Sequence, residues 1–104
     1  MPKLKKIQTQ EELQSELEGK IIAFARKKDI IEAAYRGVDP EEGHRVYWLT
    51  HQPPYNVSLG NSITRFEIEL FKKYTPRIPY FDIATCQPQD NMLVSLGEKI
   101  WERK

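Results

Sequence analysis

Apolar and polar positions along this chain repeat with two different periods, and the change of period marks its elements. Leu13 and Leu17 lie four apart on one helical face. Thr9 and Glu12 precede them at capping-box spacing, so the threonine hydroxyl can accept from first-turn amides while the glutamate reaches back. Gly19 offers a left-handed stop. The pattern predicts an amphipathic helix over 10–18, too short to stand without a surface to dock on.

Residues 20–38 carry two readings. Two apolar runs, 21–25 and 30–35, flank the polar link Arg26-Lys27-Lys28-Asp29. Each has strand length and a β-branched pair, which predicts a β-hairpin. A single helix would instead align Phe24, Ile31, Tyr35 and Val38. We read the hairpin. Asp39-Pro40-Glu41-Glu42-Gly43 is a turn, because proline fixes one dihedral and glycine frees another. Residues 45–50 then predict a strand, with Val46 and Trp48 on one face and Tyr47 and Leu49 on the other. Both faces are apolar, which suits a central strand.

Residues 62–74 fit a helix that groups Ile63, Phe66, Leu70 and Tyr74, capped by Asn61 or Ser62 and ended by Pro76. The strand alternative sets Phe66, Ile68 and Leu70 against Arg65, Glu67 and Glu69. A strand is expected over 80–85. A hairpin is expected from 92–96 and 99–102, turning at Gly97-Glu98. Its rival is a C-terminal helix capped by Asp90 and striped by Leu93, Leu96 and Ile100. Together these elements predict an α+β fold. The N-terminal helix packs on a small antiparallel or mixed sheet of about four to five strands, with a second helix near 62–74.

The chain has 104 residues, enough for one domain spanning 1–104 with a thin core. With 39% hydrophobic and 30% charged residues it reads as globular rather than disordered. No run approaches the roughly 20 apolar residues of a membrane span, and the basic start lacks the apolar stretch of a secretory signal. No membrane partner and a cytoplasmic location are the expectation. Cys86 is the single cysteine, so an intramolecular disulfide is excluded and a cysteine zinc site lacks ligands. Asn56-Val57-Ser58 matches a glycosylation sequon, which we read as chance. Sixteen basic residues face fifteen acidic ones, which argues against a broad electrostatic platform and leaves only local patches.

The segment 44–60 holds both histidines, Tyr47, Trp48 and Tyr55, and it is stiffened by Pro53-Pro54. A stiffened loop loses less entropy on binding, and tyrosine and tryptophan are common interface anchors. His44, Tyr47, His51 and Tyr55 are therefore the expected edge of a binding surface, with Trp48 turned to the core. Basic clusters at Lys3-Lys5-Lys6, Arg26-Lys27-Lys28, Lys72-Lys73-Arg77 and Lys99-Arg103-Lys104 lie near the rings of Tyr55, Tyr80 and Trp101. Lysines on phosphate and rings on bases would make a track for single-stranded nucleic acid. The plain alternative is a solubilising surface.

Chemistry is the secondary reading. His51 suits a general base, since an imidazole titrates near neutrality. Glu67 and Glu69 would share a face about 7 Å apart on a strand, close enough for acid/base work or a metal-assisted nuclease; a helix would separate them by about 200°. His44 and His51 are seven apart, with no His-x-x-x-His or His-x-His spacing, so no metal site is expected. The scattered glycines form no phosphate-cradling loop, no dinucleotide fingerprint is present, and no cofactor is expected. The expected function is a small non-enzymatic binding or regulatory module for a protein partner, a second copy of itself or a nucleic acid. The alternative is a small hydrolase or nuclease using His51 with acidic residues.

Overall fold

The capping box forms as its spacing requires. In the computed structural model of the protein, which describes residues 8–52, 57–87 and 97–104, the Glu12 amide donates to Thr9 Oγ1 at 3.1 Å, and Thr9 N donates to Glu12 Oε1 at 3.4 Å. Helix α1 starts there and runs over Gln10–Lys27. It passes Gly19 without a break. Leu13, Leu17, Ile21 and Ala25, four apart throughout, form one buried stripe. Gly19 lies on the exposed side, where an added Cβ would meet nothing within 4 Å. A solvent-facing glycine costs a helix about 1 kcal/mol, which does not outweigh burial of Ile21 and Ala25. The expected hairpin over 20–38 is thus corrected: its first half is helix, and only its second half is the strand β1 (Ile31–Val38).

Strand β2 (Arg45–His51) pairs antiparallel with β1. The turn between them is built as expected. The Asp39 carboxylate accepts from the amides of Glu41 at 2.8 Å and Glu42 at 2.7 Å, and Gly43 takes φ of +79°. Helix α2 (Val57–Tyr74) follows. It starts before the expected cap, so Asn61 and Ser62 lie within it; Leu59 and Ile63 extend its buried face backwards. Strand β3 (Phe81–Cys86) pairs parallel with β2, and β4 (Glu98–Glu102) pairs antiparallel with β1. The sheet order is β3-β2-β1-β4, so β2 is interior as expected. This is an α+β fold with a mixed four-stranded sheet. The 92–96 arm of the expected second hairpin lies outside the described residues. Ile100 belongs to β4, so the rival helix does not reach it.

Facing partners in register share one side of the sheet. Ala34, Leu49, Tyr47 and Ile83 are on one side; Tyr35, Trp48 and Ala84 are on the other. Both helices cover the first side. Leu17 and Ile21 of α1 and Ile63, Leu70 and Tyr74 of α2 join Tyr47, Leu49, Phe81 and Ile83 in one core. The helices run in opposite directions. Gln10 reaches the Arg77 carbonyl at 2.6 Å, Tyr74 donates to Glu16, and Phe24 stacks on Phe66 with ring centroids 4.4 Å apart.

Candidate functional site

The alternation of β2 decides where the expected binding residues go. Tyr47 and His51 point to the helix-covered side and are buried, at 0% and 2% exposure. His51 Nδ1 lies 2.9 Å from the Gln52 carbonyl. Tyr47 donates to Glu18 Oε2 at 3.1 Å; burial, then the charge of Glu18, pushes its phenol above the ordinary tyrosine range. These two side chains serve the core rather than an outward arm, because they lie on the face of the sheet that both helices cover. Trp48 is half-buried on the other face, and Tyr55 lies outside the described residues.

His44 meets chemistry that its sequence neighbours do not reveal. Its Nε2 donates to Asp82 Oδ2 at 2.6 Å, and Tyr80 donates to the other oxygen of Asp82 at 2.8 Å. Its Nδ1 stands 3.4 Å from the exposed carboxylate of Glu42. Both ring nitrogens therefore face carboxylates, and the imidazole clamps the start of β2 to the start of β3. The groove beside it, about 440 Å³, includes Gln14, Arg45, Pro79 and Tyr80. Among the described residues no serine or cysteine lines it.

The carboxylates of the catalytic reading do not converge. Helix α2 sends Glu67 and Glu69 to different settings. Glu67 accepts from the Ile83 amide of β3 at 2.8 Å, while Glu69 lines a groove between the helices. Burial raises the Glu67 carboxyl above the ordinary range, the Ile83 bond opposes this, and Asp82 adds to it. His51 keeps its place in the core. Among the described residues no group of three histidines, cysteines, aspartates or glutamates comes together to hold a metal. None of their helices is long and apolar enough to cross a membrane.

The basic residues do converge. A groove of about 350 Å³ between α1 and α2 is lined by Lys20, Lys27 and Lys73, with Phe24, Phe66 and Leu70 as apolar wall and, among the described residues, Glu69 as the one acidic lining residue. Lys73 titrates below the ordinary lysine range chiefly because of neighbouring Lys20; Arg77 pushes the same way and Glu16 opposes. The rings carry further cations: Lys28 lies 5.6 Å over Phe24, and Arg77 lies 5.9 Å over Tyr74. Lys72 is exposed but outside the groove lining. Sequence reasoning named Lys73 and Arg77 and missed Lys20, Phe24 and Phe66 as site residues. The signal was there: Lys20, Phe24 and Lys27 fall at helical spacing, which a strand assignment over 21–25 conceals. Set against known protein families, characterised proteins and solved structures, the chain matches none.

Proposed function

We propose that this protein is a small non-enzymatic binding module for a polyanionic partner, engaged through the α1–α2 groove. One observation carries the reading. Among the described residues, three lysines from two helices line a single concavity in which Glu69 is the one acidic side chain. Like charges held side by side raise the free energy of the unliganded protein, and an anion between them relieves it. The net charge of +1 keeps this field local, so the partner meets a patch rather than a uniformly basic molecule.

A protein partner or a second copy of the chain would have to offer a carboxylate-rich surface to the same lysines. A cytoplasmic setting accords with the single cysteine. The hydrolase alternative has less support, because His51, Glu67 and Glu69 each have a different structural setting. Binding of a fluorescent polyphosphate, followed by anisotropy across a salt series, tests the proposal. Neutralising three phosphates should make log affinity fall with log salt at a slope of about 2. Lys20→Ala and Lys73→Ala should each weaken binding several-fold and flatten that slope. Salt-independent binding, or binding untouched by both substitutions, would end the proposal.

A further inference from the structure

Resting on that reading, we infer that the groove takes single-stranded nucleic acid, with phosphates on Lys20, Lys27 and Lys73 and a base against Phe66, since Phe24 is covered by Phe66 on one face and by Lys28 on the other. The groove is not only basic. Two rings, parallel within 7° and 4.4 Å apart, form part of its wall between the lysines. Lys20 and Lys27 bracket Phe24 along α1, separated by about 10.5 Å at ~1.5 Å per residue. Lys73 stands on α2, seven residues beyond Phe66 on the opposing wall. Charge and aromatic surface therefore occur together along one short track.

Each rival occupant uses only part of this. An acidic peptide would satisfy the lysines but brings no obligatory planar partner for the rings. A duplex keeps its bases stacked inside, so its phosphates could meet the lysines while the rings stayed idle. An unpaired strand offers phosphates and flat base faces together, and base–aromatic contact tolerates any sequence. The ring that serves is Phe66, backed by Phe24, and the two approach each other only because α1 continues past Gly19.

The test uses the full chain and ligands of matched charge: a short oligothymidine, an abasic strand of the same length, an oligothymidine–oligoadenosine duplex of half that length, polyphosphate and polyglutamate. Oligothymidine should bind tightest, at least about five-fold above the abasic strand, the lower end for one base on an aromatic ring. Phe66→Leu should erase that preference. The abasic comparison needs no protein variant, so it decides even if Phe66→Leu fails to fold. Equal binding of oligothymidine and the abasic strand overturns the inference, as does tighter binding of duplex or polyglutamate; the module reading survives if polyphosphate still binds. If none of the polyanions binds, both fall.

Discussion

Arg103 Nη2 donates to the carbonyl of Ala25 at 2.9 Å, across 78 residues of sequence. The same nitrogen reaches the Lys28 carbonyl at 2.9 Å, and Nε reaches that of Ile31 at 2.9 Å. The last carbonyls of a helix have no partner within it, and a cation there also meets the negative end of the helix dipole. Arg103 thus closes α1 from the far end of the chain. Its guanidinium also lies 5.0 Å over the Trp101 ring, which holds it in position.

Arg103→Ala should therefore destabilise the fold by about 1.5–3 kcal/mol, the range for hydrogen bonds made by a charged group. Arg103→Lys should recover less than half, since an ammonium cannot match a planar fork that reaches four carbonyls. Urea denaturation followed by far-UV circular dichroism reads both. A loss under about 0.5 kcal/mol would mean that water replaces the guanidinium without penalty.

Gly97 is the second position that ties β4 to β1. Its φ is +91°, and an added Cβ would lie 2.2 Å from the Arg36 carbonyl oxygen. Gly97→Ala combines left-handed strain with a backbone clash and should cost about 2 kcal/mol or more. Thermal unfolding of the variant checks this. An unchanged midpoint would show that β4 docks without this close approach.

Glu18 is the polar knot between α1 and the sheet. It accepts from Arg36 at 2.9 Å and from Tyr47, and it lies 3.7 Å from Arg45. Glu18→Ala would leave the buried Tyr47 hydroxyl only the longer bond to Gln14 at 3.3 Å and two half-exposed guanidinium groups without this partner. A loss of about 1–3 kcal/mol is expected. Glu18→Gln should retain the tyrosine bond and lose less. Chemical denaturation of Glu18→Ala, Tyr47→Phe and the double variant measures the coupling. Losses that simply add would show that Glu18 and Tyr47 do not support each other.

Glu67 gives a pH dependence with a definite sign. Burial holds its carboxyl above the ordinary glutamate range, against the bond from Ile83. The fold therefore keeps this proton to higher pH than the unfolded chain does. The stabilisation from the protonated form is complete below the unfolded value and is lost as pH rises through the folded one. At neutral pH the ionised group is a net cost, reduced by its solvent exposure. Glu67→Gln keeps an acceptor for the Ile83 amide and removes the charge. It should match or exceed the parent at neutral pH by under about 1 kcal/mol, and the gain should vanish below about pH 4. Paired urea titrations across that range decide it. A variant less stable at neutral pH would mean that the carboxylate's bond outweighs its burial.

Local signals carried much of the fold. The capping box at Thr9, the turn at Asp39, the central strand at 45–50 and the proline after Tyr74 each depend on neighbours in sequence, and each is legible there. The stretch 21–25 is not. Its paired isoleucines favour a strand locally, but Ile21 and Ala25 complete a stripe begun at Leu13, and docking of that stripe outweighs propensity. The start of α2 is hidden for a related reason: Pro53-Pro54 and Gly60 read as loop, while Leu59 is drawn into the core. Misreading one helix also hid half the candidate site. Lys73 and Arg77 stand out as a basic cluster, but Lys20 and Phe24 join them only when α1 runs on to Lys27. The meeting of His44 with Asp82 spans 38 residues and leaves no local trace.

The carboxylate of Glu67, held against the Ile83 amide, also bears on how copies of this molecule can meet. β3 is a border strand, and an unused amide there would welcome a foreign backbone. With that donor already engaged and α2 overhanging it, sheet extension on the β3 side is obstructed. Among the described residues the other border is β4, five residues long and bearing Glu98, Lys99 and Glu102. A short charged margin of this kind resists runaway stacking, so the protein guards one border with a helix and the other with charge.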